Sequence, residues 1–163
     1  MKNIFILLIS LLILGSCDPE DSTSRENTKE IIDELLIKSS EEINIDGQKL
    51  FLRAALWRDF MPISPPSGKG LIAVNYLVHR DSAKIPSYIK LSKQYVINGD
   101  SLWMSEYADE TRETPDYLIE RVSRNGPKWG PDITVTVIAE VKSLKDDNTY
   151  YLRLDEESIW RTD

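Results

Sequence analysis

From residue 41 to the end of the chain, short apolar runs alternate with polar residues, and each run closes on a turn signal. A two-residue period puts one face of an extended segment on a core and the other on solvent, so the pattern demands sheet. Ile43 and Ile45 alternate ahead of Asp46-Gly47, a hairpin turn. Leu50–Trp57 is apolar on both faces apart from Arg53, as in a buried central strand. Leu71–His79 and Tyr88–Ile97 follow, the second closed by Asn98-Gly99-Asp100. Ser101–Tyr107, Tyr117–Arg124, Ile133–Val141 and Tyr150–Leu154 continue the series, with a last short strand over Ser158–Arg161. Thr114-Pro115-Asp116 leaves a short helix open as the rival for 117–124.

Seven to nine strands at this spacing predict an all-β domain, a sandwich or a barrel. An immunoglobulin-like sandwich of antiparallel strands is the expected architecture. The chain lacks the Cys…Trp…Cys hallmark of antibody domains, so that resemblance is architectural only. The expected core is Leu50, Leu52, Leu56, Ile72, Val74, Tyr76, Val135 and Val137. Ahead of the strands, Asn27-Thr28-Lys29-Glu30 has capping-box spacing before Ile31, Ile32, Leu35 and Leu36. That predicts a short N-terminal helix, with a strand through Leu35–Ile37 as its rival.

The first seventeen residues have a different logic. Met1-Lys2-Asn3 is a positively charged start, Ile4–Leu14 is apolar apart from Ser10, and Leu14-Gly15-Ser16-Cys17 follows. At ~1.5 Å per residue this run is about half as long as the ~30 Å hydrocarbon core, so it reads as an export signal. The run resembles the lipobox of bacterial lipoproteins. The resemblance implies cleavage before Cys17 and lipid attachment to its sulfur. It divides the chain into a signal peptide (1–16), a flexible acidic tether (17–27) and one β-domain (28–163). Asp18–Asn27 holds no apolar residue, which is the basis for the tether. Asp18, Glu20 and Asp21 look like the acidic residues that accompany export to the outer surface in some Gram-negative groups; an Asp directly after the cysteine marks inner-membrane retention in others. The outer membrane, on its periplasmic or surface side, is the expected address.

Cysteine and charge narrow the rest. Cys17 is the only cysteine, so no internal disulfide can form and the core must hold the domain. Lys2 is the one charge in 1–16, so the net charge of −7 becomes −8 for the 147 residues left from 163. Such a surface repels a polyanion and excludes nucleic acid as a natural partner. The membrane is expected as a partner through the lipid anchor, together with a protein or a small ligand.

The catalytic inventory is poor. His79 is the only histidine and falls at a strand end beside Arg80 and Asp81, where an exposed, dispensable side chain is expected. No Gly-x-Ser-x-Gly elbow, phosphate-binding glycine loop or histidine-rich metal motif occurs. Glu106, Asp109, Glu110, Glu113 and Asp116 lack calcium-loop spacing, and Asp146-Asp147-Asn148 reads as a hairpin turn. No metal or cofactor is expected. Trp103 and Tyr107 share strand parity and suit either a stacking platform or a core plug. Asp21-Ser22-Thr23, Asp81-Ser82-Ala83 and Asp100-Ser101-Leu102 resemble the O-glycosylation sequons of one Gram-negative phylum.

Two segments stand out, 56–66 (LWRDFMPISPP) and 125–131 (NGPKWGP). Each sets a Trp and a charge beside rigid Pro or Gly turns. Together they look like motifs from a loose group of small exported bacterial proteins, over residues 43–162, which implies an extracytoplasmic β-domain and supplies no activity. If successive strands alternate in direction, the connections 58–70, 98–100 and 125–132 fall at one end. Trp57, Arg58, Asp59, Lys128 and Trp129 then form a candidate binding surface. The leading expectation is a non-enzymatic binding or interaction module. An accessory subunit of an envelope or surface uptake complex and a carboxylate-based hydrolase are the alternatives.

Overall fold

The computed structural model describes residues 19–107 and 113–163, with side chains from residue 25 onward. Helix α1 (Pro19–Lys38) precedes nine strands: β1 (Ser39–Ser40), β2 (Glu42–Ile45), β3 (Gln48–Asp59), β4 (Leu71–His79), β5 (Ile89–Asn98), β6 (Ser101–Glu106), β7 (Leu118–Gly126), β8 (Thr134–Ser143) and β9 (Asn148–Thr162). The helix, not the rival strand, covers Leu35–Ile37, and it begins eight residues ahead of Asn27. Residues 19–27, expected as flexible tether, are therefore helical.

The strands form one curled sheet in the order β6-β5-β8-β9-β3-β4-β7, with β1 on β9 and β2 on β3. The expectation of wholly antiparallel strands is corrected. β3 pairs β9 in parallel (Leu56↔Ile159 to Asp59↔Thr162), and so does β1 (Ser39↔Tyr151, Ser40↔Leu152). The two short strands expected over 150–154 and 158–161 are one strand. β8 runs along one edge of it from Asn148 to Ser158, while its other edge pairs β1 at Tyr151–Leu152 and then β3 from Ile159 to Thr162. The strand bends at Glu156, whose φ of 57° accompanies a slip of the β8 register between Val135 and Val137, with β8 still paired beyond it at Glu157 and Ser158. Between the two pairings β9 and β3 splay apart, leaving a cleft of about 370 Å³ whose walls include Leu52, Leu154 and Arg153.

The main core lies inside the curl, with Leu50, Leu52 and Leu56 of β3, Leu71 and Leu77 of β4, Val137 and Val141 of β8, and Leu152 and Ile159 of β9. Ile72 and Tyr76, expected in the core, are only partly buried. Val74 is buried but outside that cluster. Both parities of β4 are apolar, so alternation alone could not choose the inward one; the odd set, Leu71, Ala73, Asn75 and Leu77, faces in. A second cluster sits on the other face of the β5-β8 layer, where Ile32 and Leu35 of α1 cover Tyr95, Ile97 and Ile138.

The free edges β6 and β7 approach each other without pairing. Trp103 closes this seam: a Cβ on Gly126 would sit 2.7 Å from its ring. Trp103 and Tyr107 both pack on the main core, which realises the plug and not an exposed stacking platform. Behind them Asn75 and Gln94, both fully buried, join through Asn75 Nδ2 donating to Gln94 Oε1 at 2.6 Å.

Candidate functional site

Strand parity decides where each candidate side chain goes. Leu56 and Arg58 point into the curl and are buried, whereas Trp57 and Asp59 point out and are half-buried. The antiparallel registers β3–β4, β4–β7 and β5–β8 bring the connections 60–70, 99–100 and 127–133 to one end, as the strand count predicts.

Arg58 organises that end. Its side chain is 3% exposed, and among the described residues it bonds to backbone carbonyls and to no carboxylate. Nε donates to Lys69 O at 3.0 Å, and Nη1 donates to Gly130 O at 2.7 Å and Lys128 O at 3.1 Å. Nη2 donates to Ser67 O. One guanidinium thus ties both Pro-rich loops together through four carbonyls. The planar fork permits this, since it carries five N–H donors in fixed directions. Lys128 Nζ adds a second tie to Ser67 Oγ at 2.7 Å.

Above the guanidinium lies Phe60. Arg58 approaches its ring centroid at 4.9 Å and Arg161 at 4.2 Å. Gly68 packs against the same ring at a φ of 68°; a Cβ there would stand 2.7 Å from the ring. Only glycine meets both conditions without strain. Asp59 holds the loop base, with Oδ1 accepting from Met61 N at 2.9 Å and Oδ2 from Lys69 Nζ at 2.8 Å. The Lys69 ammonium, and then the Met61 amide, keep the Asp59 carboxyl below its ordinary value.

The five candidate residues therefore divide. Arg58 and the Lys128 backbone meet directly. Trp129 packs on the main core from the second loop. Trp57 lies on the outer sheet face, opposite Trp160 in the β3–β9 register. Residues outside the sequence expectation dominate the exposed surface: Ile63 is 90% exposed, Trp160 65% and Met61 47%. One signal for them was present. Ile63 stands between Pro62 and Pro65, where no strand can form and no periodicity leads it into a core.

His79 is corrected. It is buried, not exposed, and its Nδ1 accepts from the backbone N–H groups of Asp81 at 3.1 Å and Ala83 at 3.3 Å. The side chain caps the turn after β4, where Ser82 adopts a φ of 53°. Within the acidic loop, Asp109 and Glu110 lie outside the described residues, as does Cys17. Asp116 pairs with Lys84 at 3.3 Å. Among the described residues no group of acids, His or Cys is placed to hold a metal ion. Compared with known protein families, with curated proteins and with solved structures, the chain matches none.

Proposed function

We propose that this chain is an exported lipoprotein held at the cell envelope through Cys17, at the outer membrane, and that its β-domain is a non-enzymatic interaction module. Its working surface is the end formed by loops 60–70 and 127–133. An immunoglobulin-like, sandwich-type architecture for the curled sheet belongs to the same proposal. The observation that carries the reading is the Arg58 latch beneath an exposed apolar tip. A buried cation, four carbonyl acceptors and three prolines hold Met61 and Ile63 in one conformation facing solvent. Folding gains nothing from exposing them, whereas a partner gains a surface whose ordering entropy is already spent. The binding of His79 Nδ1 by two turn amides supports a non-catalytic role for the only histidine.

Two measurements test this reading. Replacing Cys17 with Ala is expected to abolish fatty-acid labelling and leave an uncleaved precursor; labelling that persists would overturn the anchor. A photo-crosslinking residue at position 63, compared in cells with one at Leu144, tests the surface. Leu144 is 62% exposed and belongs to the opposite end. Adducts to protein or lipid from 63 and none from 144 are expected; the reverse, or no adduct of either kind from 63, would overturn the site.

A further inference from the structure

We infer that the tip of loop 60–70 is a membrane-docking element, which inserts Met61 and Ile63 among the lipids at the bilayer interface. The inference rests on the proposed site and names its partner.

The first ground is shape. Met61-Pro62-Ile63 stands on a loop at one end of the curl, and with Ile63 90% exposed it forms a projection. A fluid interface accepts a projecting apolar side chain without a complementary pocket, which a protein partner would have to supply.

The second ground is the backbone. A segment that enters an apolar medium must satisfy its own N–H and C=O groups. Pro62, Pro65 and Pro66 have no N–H to satisfy. Five further N–H groups of the loop are bonded within the protein: Phe60 to Thr162 O, Met61 to Asp59 Oδ1, Ser64 to Met61 O, Gly68 to Pro65 O, and Lys69 to Asp59 O. The carbonyls of Ser67 and Lys69 accept from Arg58. Most of the loop's N–H groups thus need no water, which lowers the cost of bringing the loop against an apolar medium.

The third ground is what surrounds the tip. Trp160 is 65% exposed and Trp57 is its register neighbour, giving amphipathic rings of the kind that settle at headgroup depth. Lys69, Lys128 and Arg161 follow on the same end, where long cationic side chains reach back toward headgroups. Lys69 and Arg161 are already paired, with Asp59 and Asp163, so lipid charge contributes little. Met61 and Ile63 carry fewer apolar carbons than one myristoyl chain, itself a marginal anchor. The tip therefore orients a domain that is already tethered and does not recruit it.

The test uses the full lipidated chain in vesicles of phosphatidylethanolamine and phosphatidylglycerol. With Cys17 acylated, an Ile63→Cys variant offers one free thiol for an environment-sensitive fluorophore, and Leu144→Cys supplies the control from the other end. Lipids brominated near the glycerol end of the acyl chain are expected to quench the label at 63 roughly threefold or more over that at 144, as for a group below the headgroups. Raising the salt is expected to change this little. With the label moved to Met61→Cys, adding Ile63→Asp, which alters an exposed position only, is expected to abolish the quenching. Equal quenching at 63 and 144, or none at 63, overturns the inference. Crosslinks from position 63 to one protein, with no lipid quenching, leave the interaction site standing and remove the membrane as its partner. Neither lipid quenching nor crosslinks removes both.

Discussion

Arg58 and His79 end neighbouring strands at opposite ends of the sheet, and both are buried. Arg58 donates to four backbone carbonyls in two loops separated by some sixty residues of chain. His79 accepts from two amides within four residues of itself. The first joins distant segments, and the second shapes one turn. The surfaces above them differ accordingly. The Arg58 end projects Met61 and Ile63 on stiff backbone. The His79 end exposes Leu144 but is tied by polar contacts, with Asp46 Oδ2 accepting from Tyr88 Oη at 2.9 Å and from Lys145 Nζ at 2.7 Å. A buried latch is insulated from salt, while an exposed ion pair is screened by it. The Arg58 latch is thus shielded from solvent, whereas the Asp46 contacts at the other end are ones that water and ions compete for.

The largest effect expected from breaking this contrast is at Arg58. Arg58→Met leaves four part-buried carbonyls without their shared donor and should cost about 3 kcal/mol in urea unfolding. Arg58→Lys should recover only part, since an ammonium cannot span both loops. Amide exchange should accelerate first at Ser64 and Gly68. A loss below about 1 kcal/mol for Arg58→Met would show that the loops are held by something else.

His79→Ala should cost less, about 2 kcal/mol, through two unpaired amides and a small cavity. His79→Asn should restore some of it by offering an oxygen near the Nδ1 position. Increased exchange confined to Asp81–Ala83 is expected; changes that reach loop 60–70 would contradict the separation of the two ends. Gly68→Ala should cost about 1–2 kcal/mol, from a strained φ and a clash with Phe60, and should leave the His79 end unaffected.

Acid acts on both ends at once. Asp46 is held below its ordinary value of 3.8, chiefly by its Lys145 hydrogen bond and then by Tyr88, and Asp59 likewise by Lys69 and then the Met61 amide. Depressed carboxyls stabilise the fold above their unfolded values, and that contribution disappears as pH falls through the folded ones. Melting temperature should therefore drop below about pH 4, less steeply in Asp46→Asn, and added salt should shrink the difference between the two proteins. The smallest effect is at Glu157, just past the β9 bend, where burial raises the carboxyl above 4.5. Its sign is opposite: the contribution is present at low pH and lost as pH rises through the raised value. Glu157→Gln should raise stability slightly at neutral pH, by under about 0.5 kcal/mol, and a decrease there would refute the burial argument.

Some of this was legible in the residues. Strand positions followed from period-two alternation and turn chemistry: β4 was placed at its observed limits, and Asp46-Gly47 turns with φ values of 51° and 84°. The common end of the three connections followed from alternating strand direction. Arg58 and Lys128 were among the side chains expected to meet, but not with a guanidinium buried on carbonyls. His79 was misplaced because two adjacent charges suggest solvent, while the turn amides that bury it are invisible before the chain folds back.

The alternation of apolar residues and the positions of Gly, Pro and Asn are local, and local sterics suffice to set where strands start and stop. Which face of β4 turns inward, how β9 serves two neighbours, and why Arg58 can be buried without a carboxylate depend on segments far apart in the chain. β4 is apolar on both faces, so only the layers packed against it select the inward one. β9 continues through Glu156 because β8 stays paired to it on both sides of the bend and β3 joins its other edge beyond. Arg58 is stable inside because the carbonyls of Ser67, Lys69, Lys128 and Gly130 arrive there together, and a side chain's partners at such separations are supplied by tertiary structure alone.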